Sequence, residues 1–204
     1  MRDDLPTVFV VDDDEAVRDA LAVHMELAGL PVRTFASARE FLSAIDPDHA
    51  GCAVLDIRMP EMDGLTLQQE MAARGITLPV IVVTGHGDVP AAVSAFRAGA
   101  VDFLQKPFDE DHLIERIREA LERDGKARRQ SSELAQLRRL YGGLTPRERE
   151  VLELIALGCS NKVVALRLDI GVRTVETHRA KVLEKMGAHS ASELARMKMK
   201  LDGA

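Results

Sequence analysis

The chain has no tryptophan and a single tyrosine among its 204 residues, so it lacks the aromatic surface on which proteins stack unpaired bases. Its two cysteines, Cys52 and Cys159, are too few for a disulfide framework, which favours a reducing compartment and a packing role for both thiols. No basic N-terminal segment leads into an apolar core, and no apolar run approaches the roughly 20 residues that span a bilayer. These absences argue against a secreted or membrane-spanning protein, and we expect a cytoplasmic location without a membrane partner.

Charge is distributed unequally along the chain. Residues 1–125 carry 24 acidic and 11 basic side chains, a net charge of −13, whereas residues 126–204 carry 9 acidic and 16 basic ones, a net charge of +7. The net charge of −6 for the whole chain conceals this difference. Two parts of opposite charge predict two domains with different partners, and the basic part is the candidate for binding nucleic acid.

Reactive side chains follow several short apolar runs in the acidic part. These predicted strands and the groups after them are Thr7–Val11 with Asp12 and Asp13, Cys52–Leu55 with Asp56, Pro79–Val83 with Thr84, and Phe103–Gln105 with Lys106. Helical patterns separate the runs, and a further strand is predicted at Val32–Phe35, so the order of elements predicts a parallel sheet with right-handed crossovers. Because ligands of such sheets bind outside the carboxyl ends of the strands, we expect these groups to converge on one crevice.

The contents of this crevice suit phosphoryl transfer. Three carboxylates crowded together repel one another and require a cation, and an all-oxygen set suits Mg²⁺ better than Zn²⁺. A lysine and a threonine hydroxyl facing the same ion would hold the remaining oxygens of a phosphoryl group. Because an aspartate can itself accept a phosphoryl group, Asp56 is predicted as the phosphoacceptor. For Asp56 taken alone, a carboxylate that only caps the next helix is the alternative.

Four motifs in this order resemble the receiver domain of two-component response regulators, over residues 5–122. They are the Asp12-Asp13 pair, Leu-Asp-Ile-Arg-Met-Pro at 55–60, Thr-Gly-His-Gly-Asp-Val-Pro at 84–90, and Lys106-Pro107. The third motif is similar to the sequence of the FixJ branch of that family. The resemblance implies a receiver that a cognate sensor histidine kinase phosphorylates.

The same resemblance assigns a role to each side chain. It implies that Asp56 accepts the phosphoryl group. The implied direct Mg²⁺ ligands are Asp13, Asp56 and the backbone carbonyl of Arg58, with Asp12 acting largely through water. The implied phosphoryl-binding and switch residues are Thr84, Lys106 and Phe103, with a cis bond between Lys106 and Pro107.

The loop at residues 84–90 contains two glycines, His86 and Asp88. A gate or a solvent-facing role is favoured for His86 over a metal ligand, and Asp88 can cap the helix that follows. By the resemblance, this loop and that helix rearrange when Asp56 is phosphorylated.

The stretch after the receiver pattern predicts a long helix that begins near Asp109 and has few breakers before Gly142-Gly143. Leucines recur there at helical spacing, at positions 134, 137 and 140. Fewer than two clean heptads are present, so a solvated helical linker over residues 123–137 is favoured, with a coiled-coil dimer as the alternative.

The basic part predicts a helix-turn-helix. Thr145, Pro146 and Glu148 have the spacing of a capping box at a helix start. Helices are then predicted at Asn161–Leu168 and Val172–Met186, joined by a tight turn that contains Gly171. The exposed side of the last of these suits a major groove, with Glu176 and Thr177 able to read base edges. A solvated face in a structural bundle is the alternative for that helix alone.

Three motifs resemble the DNA-binding domain of the LuxR/FixJ type over residues 138–204. They are Leu-Thr-Pro-Arg-Glu-Arg-Glu-Val-Leu, Gly-Cys-Ser-Asn-Lys-Val-Val-Ala and Arg-Thr-Val-Glu-Thr-His-Arg. The predicted DNA-binding residues are Lys162, Arg173, Thr174, Glu176, Thr177, Arg179 and Lys181. Among these the resemblance implies phosphate contacts for Lys162 and Arg179, and it implies that His178 supports the recognition helix and that a helix at Ser190–Met199 contributes to dimerisation.

One residue departs from the family pattern. Gly171 stands where many relatives have a Ser or Thr N-cap, and glycine is a weaker cap by a few tenths of a kcal/mol. DNA binding is therefore expected to depend more on contacts between the two copies of a dimer.

The predicted fold is an α/β, (βα)5 doubly wound parallel-sheet receiver domain followed by a small all-α helix-turn-helix domain. The predicted function is that of a transcriptional response regulator that is phosphorylated by a kinase, forms a homodimer, binds double-stranded promoter DNA and works with RNA polymerase. A phosphohydrolase is disfavoured, because such enzymes carry a second Asp two residues after the nucleophile, where this chain has Arg58. A C-terminal module that binds protein or RNA is disfavoured by the +7 charge and the groove-facing helix.

Overall fold

The computed structural model describes residues 5–85 and 89–203 and divides the chain into two compact units, Met1–Ala127 and Arg128–Ala204. His86 and Asp88, for which a gate and a helix cap are predicted, lie outside the described residues. Within those two described ranges, no helix is long and apolar enough to cross a membrane.

The first unit is built on a five-stranded parallel sheet, as predicted. In chain order the strands are β1 (Thr7–Val11), β2 (Val32–Phe35), β3 (Gly51–Leu55), β4 (Val80–Thr84) and β5 (Asp102–Gln105). Their order across the sheet is β2-β1-β3-β4-β5, and every pairing is parallel. The strand order reverses between β1 and β3, and a crevice opens at such a point outside the carboxyl ends of the strands.

The limits of three strands differ from the prediction by one residue. Strand β3 begins at Gly51, because Gly51 pairs with Thr7 of β1. Strand β4 extends to Thr84, which pairs with the last residue of β5, and begins one residue later than predicted. Strand β5 begins at Asp102, the partner of Ile81.

Helices cover both faces of this sheet and confirm the doubly wound fold. They are α1 (Glu15–Leu27), α2 (Ala38–Ala44), α3 (Gly64–Ala73), α4 (Val89–Arg97) and α5 (Glu110–Gly142). One apolar cluster packs α2 and α3 against one face, and a second packs α1 and α5 against the other. Every residue of β1, β3 and β4 is buried, as expected of strands covered on both faces.

Helix α5 runs for 33 residues and ends at Gly142, as the scarcity of helix breakers predicts. Its first turns bury Leu113, Ile117 and Ala120 against the sheet. Near its end, Leu137 is buried and Leu140 packs against the core of the second unit. Two of the three leucines that indicate a possible coiled coil are therefore at least partly buried within the second unit.

The second unit contains the end of α5 and four further helices, which are α6 (Pro146–Ala156), α7 (Asn161–Leu168), α8 (Val172–Met186) and α9 (Ala191–Asp202). The predicted capping box of Thr145 and Glu148 is present at the start of α6. Gly171 precedes α8 without a side-chain cap, as its lack of a side chain requires. Helix α9 continues three residues past the predicted Met199, and an i,i+4 ion pair of Lys198 with Asp202 stabilises its last turn.

Candidate functional site

Asp56 lies directly after β3 and is held there by its backbone. Its N–H donates to the carbonyl of Val11 at 2.9 Å, which extends the pairing of β3 with β1. The Oδ2 atom accepts a hydrogen bond from the N–H of Arg58 at 2.7 Å, which fixes the rotation of the carboxylate. The residue is only 8% exposed, so the carboxylate lies at the carboxyl end of the central strand with little access to water.

Gly64, the first residue of α3, lies against this segment. A Cβ atom at position 64 would be 2.2 Å from the carbonyl oxygen of Asp56, much less than a van der Waals contact. The N–H of Gly64 donates to the carbonyl of Ile57 at 2.9 Å. The helix can therefore approach the phosphoacceptor candidate this closely only with glycine at that position.

Lys106 connects the ends of three strands. Its Nζ atom lies 2.6 Å from Oδ2 of Asp12 and 3.4 Å from Oδ1 of Asp56. Its backbone N–H donates to the carbonyl of Thr84 at 2.8 Å, and its bond to Pro107 is cis. The structure thus brings Asp12, Asp56 and Lys106 together in one crevice.

The charges in this crevice are unbalanced. Burial and the nearby charge of Asp12 raise the pKa of Asp56, although the ammonium of Lys106 and the N–H of Arg58 offset part of that rise. Burial on its own lowers the pKa of Lys106, but the hydrogen bond and charge of Asp12, together with those of Asp56, raise it overall. Lys106 therefore stays protonated, and two carboxylates share one ammonium ion.

The other predicted members of the site take different positions. Asp13 and the side chain of Arg58 are exposed. Thr84 is 1% exposed, at the end of β4. Phe103 is half-buried and packs against the apolar cluster that faces α2 and α3. The ion pairs of the site thus join the residues that follow β1, β3 and β5, and the carbonyl of Thr84 in β4 accepts a hydrogen bond from the backbone of Lys106.

The donor set of the crevice fits Mg²⁺. In the described part of the chain, no three side chains of His, Cys, Asp or Glu are grouped so that they could hold a metal ion by themselves. Mg²⁺ does not need such a cage, because it is usually bound by one or two carboxylates together with water and phosphate oxygens. Asp12 and Asp56 supply two buried carboxylates of this kind.

In the second unit, the predicted DNA-binding residues lie mainly on the open side of α8. The exposed ones are Arg173, Thr174, Glu176, Thr177 and Lys181 on α8 and Lys162 on α7. The hydroxyl of Thr177 donates to the carbonyl of Arg173 at 3.0 Å, so the methyl group is left for an outside contact. Arg179 is half-buried, and its Nη1 atom donates to Oδ1 of Asn161 at 3.0 Å.

Sequence patterns missed two residues that fix this helix. Asn161 holds Arg179, but nothing in the sequence distinguishes it from an ordinary first residue of a helix. Glu148 was predicted only as part of a capping box, yet its Oε2 atom accepts from both the N–H of Thr145 at 2.8 Å and Nζ of Lys185 at 2.7 Å. Lys185 belongs to the last turn of α8, so this buried carboxylate ties α6 to α8.

The hydrogen bond from Lys185 and that from the backbone of Thr145 lower the pKa of Glu148 to about 2. Glu148 is therefore ionised throughout the physiological range. His178, predicted to support α8, is half-buried, and its Nδ1 atom has no hydrogen-bond partner within the described ranges.

Comparison with known proteins matches both units. The family described as response regulator receiver domain matches residues 8–118, and the family described as bacterial regulatory proteins, luxR family, matches residues 143–198. The transcriptional regulatory protein FixJ of Azorhizobium caulinodans is 48% identical over 97% of this chain and 93% of its own length. The response regulator protein TmoT of Ectopseudomonas mendocina is 40% identical over 98% of this chain and 91% of its own.

Two solved structures of response regulators are also similar to this chain over nearly its whole length. The response regulator StyR has a TM-score of 0.89 at 40% identity, covering 96% of this chain and 99% of its own. Full-length FixJ from B. japonicum has a TM-score of 0.60 at 41% identity, covering 98% of each chain.

Proposed function

Since the chain belongs to the LuxR-type transcriptional response regulators of two-component systems, we propose that phosphorylation of Asp56 by a sensor histidine kinase controls its binding to promoter DNA. Members of this family regulate transcription and are not classical enzymes. Receiver domains generally use Mg²⁺ at the phosphorylation site. The family therefore implies a kinase and DNA as partners.

The observation that supports the proposal best is the position of Lys106 between Asp12 and Asp56. In the proposed transfer, a carboxylate oxygen of Asp56 forms a bond to phosphorus while the bond from phosphorus to the histidine nitrogen of the kinase breaks. The N–H of Arg58 orients the carboxylate for this attack. The ammonium of Lys106 and the hydroxyl of Thr84 would then hold the phosphoryl oxygens.

Asp12, Asp13, Asp56 and the carbonyl of Arg58 would hold Mg²⁺, whose charge offsets that of the carboxylates and of the phosphoryl oxygens. Because the pKa of Asp56 is raised, its charged form is costly in this crevice without further cations.

In the second unit, α8 would lie in the major groove. Lys162 and Arg179 would contact phosphates, while Glu176 and Thr177 would read base edges. Two phosphorylated copies would form a dimer on adjacent half-sites, with a contribution from α9, and would act on RNA polymerase. Phosphorylation shifts the population between two conformations, because its contacts differ between them.

We propose domain limits of 5–122 for the receiver, 123–137 for the linker and 138–204 for the DNA-binding domain. The division between the compact units at Ala127 lies inside this linker. With a kinase and promoter DNA as partners, we propose a cytoplasmic location.

The test compares the wild-type chain with Asp56→Asn, using beryllofluoride with Mg²⁺ as the phosphoryl mimic. The mass in solution is measured by light scattering, and affinity is measured for a duplex that the mimic-treated wild-type chain has selected from a random pool. We expect the mimic to convert wild-type monomer to dimer and to raise DNA affinity at least tenfold, with no effect on Asp56→Asn. Equal stimulation of both proteins would refute Asp56 as the phosphoacceptor.

A further inference from the structure

Asp124 is a buried acid in a mainly polar stretch of α5. The residue is 5% exposed, whereas Arg123 and Lys126 on either side are exposed. An ionised carboxylate is expensive to remove from water unless it is hydrogen-bonded or paired, so a buried one in a predicted solvated linker requires a reason.

Its position continues the buried side of the helix. Leu113, Ile117 and Ala120 are spaced by four and three residues, and Asp124 follows at the next interval of four. Side chains at these spacings lie on one face of a helix, so an apolar residue would be expected where Asp124 stands.

The carboxylate instead meets the start of β3. Its Oδ2 atom accepts a hydrogen bond from the N–H of Gly51 at 3.0 Å. Gly51 is the first residue of β3, and a Cβ atom there would be 1.9 Å from the carbonyl oxygen of Thr7. Only glycine permits β1 and β3 to approach so closely at this end, and the N–H of Gly51 then points to α5.

The charge of Asp124 also acts on Cys52. Burial raises the pKa of the Cys52 thiol strongly, and the negative charge of Asp124 raises it further. Cys52 follows Gly51 in β3 and is fully buried.

The strand that Asp124 holds at one end carries Asp56 at the other. Strand β3 is five residues long, about 16 Å at about 3.3 Å per residue, and all of it is buried. Helix α5 continues without a break from Asp124 into the second unit, where it ends at Gly142. Beside the apolar packing of α5 on the sheet, a hydrogen-bonded carboxylate thus joins the strand that carries Asp56 to the helix that leads to the second unit.

We propose that Asp124 is a positioning residue for the response to phosphorylation. It sets the rotation and the axial position of α5 against β3, so that a change at Asp56 reaches the second unit through a helix of fixed register. This inference rests on the proposed function, because it assumes that the state of Asp56 controls DNA binding. Asp124 itself takes no part in phosphoryl transfer.

The test uses the full chain with Asp124→Ala and Asp124→Asn. Asparagine keeps an oxygen that can accept the N–H of Gly51, whereas alanine does not. Glu122→Gln is the matched control, since it removes one negative charge from the same helix at an exposed ion pair with Lys126. Phosphorylation by acetyl phosphate is measured on phosphate-affinity gels, and DNA affinity is measured on the selected duplex.

We expect Asp124→Ala to be phosphorylated within twofold of the wild-type rate, while the stimulation of DNA affinity by phosphorylation falls from tenfold or more to less than twofold. Asp124→Asn is expected to recover at least half of the stimulation, and Glu122→Gln all of it. Full stimulation in Asp124→Ala would overturn the proposal. Loss of phosphorylation in both Asp124 variants would also overturn it, because Asp124 would then be needed only for folding of the receiver. Equal stimulation of the Asn and Ala variants would overturn it as well.

A thiol measurement tests the contact without reference to phosphorylation. In a Cys159→Ser background, Cys52 is the only thiol, and its rate of reaction with a disulfide reagent reports opening between β3 and α5. We expect Asp124→Ala to react at least tenfold faster than Asp124→Asn in that background, since both variants lack the charge that raises the pKa of the thiol. If wild-type DNA affinity does not respond to phosphorylation, the proposed function fails, and equal thiol rates would then separately refute the contact.

Discussion

The ammonium of Lys106 lies closer to Asp12 than to Asp56, at 2.6 Å from the first carboxylate and 3.4 Å from the second. The lysine therefore compensates the repulsion between two buried carboxylates, one of which is Asp56, the proposed phosphoacceptor. Asp56 keeps a raised pKa even with this partner present.

Replacing Lys106 with methionine should impair phosphorylation in a pH-dependent way. A carboxylate accepts phosphorus only when ionised, and the lysine lowers the pKa of Asp56. Without it that pKa rises further, so the rate with acetyl phosphate and Mg²⁺ should fall at least tenfold at neutral pH and recover partly as the pH rises. The measurement is the initial rate between pH 5 and 9. Lys126→Met removes a lysine from an exposed ion pair and is the control, whose phosphorylation rate should match that of wild type at every pH. If the rate of Lys106→Met varied with pH in parallel with that of wild type, Lys106 would not control the ionisation of Asp56.

Gly64→Ala should displace Asp56 by crowding its backbone carbonyl. The added Cβ would lie 2.2 Å from the carbonyl oxygen of Asp56, so the start of α3 or the end of β3 must move. We expect a loss of about 1–3 kcal/mol in the free energy of unfolding, as for other overpacked positions. Phosphorylation should also slow, because the carboxylate is displaced.

Gly85→Ala is the control for the loss of stability. An added Cβ there has no atom within 4 Å, so the free energy of unfolding should stay within about 0.5 kcal/mol of the wild-type value. Equal stability of both variants in urea denaturation would show that α3 can move away without cost.

The parallel sheet and the convergence of Asp12, Asp56 and Lys106 could be predicted, because apolar runs ending in reactive groups have few possible arrangements in a β-α chain. Contacts between distant residues could not. Lys185 reaches Glu148 only because α6 and α8 pack together, and neither spacing nor charge reveals that. Asp124 falls within the solvated linker predicted over residues 123–137, yet it is buried, and its spacing from Ala120 continues the buried face of α5.

Glu148→Gln should change how the second unit responds to acid. The native pKa of Glu148, about 2, lies below its ordinary value of 4.5, so the unfolded chain binds its proton at higher pH. The stabilisation is thus complete above about pH 5 and is lost as the pH falls through about 2. Wild type should lose more stability between pH 7 and pH 3 than Glu148→Gln does.

Fluorescence of Tyr141 measures this unfolding, because it is the only tyrosine, the chain has no tryptophan, and it packs against the core of the second unit. Glu150→Gln, which removes an exposed partner of Arg147, should retain the wild-type dependence. An unchanged dependence in Glu148→Gln would show that the pair with Lys185 has no influence in solution.

Asn161→Ala should weaken DNA binding through Arg179. Asn161 holds one nitrogen of the guanidinium, and loss of that hydrogen bond frees the side chain, which should cost about 1 kcal/mol, or roughly fivefold in affinity. The charge of Arg179 remains, so the slope of log affinity against log salt should stay as in wild type. Arg179→Ala should instead reduce that slope by about 1, since one phosphate contact is lost.

The double variant distinguishes positioning from a general loss of structure. If Asn161 acts only through Arg179, then Asn161→Ala with Arg179→Ala should bind no more weakly than Arg179→Ala alone, because the second change removes a contact that no longer exists. Anisotropy titrations of the selected duplex at several salt concentrations measure all of these affinities. Arg167→Ala, at the other end of α7, controls for loss of a positive charge and should add to Asn161→Ala. Additive losses for Asn161 and Arg179 would mean that the hydrogen bond does not position the arginine on DNA.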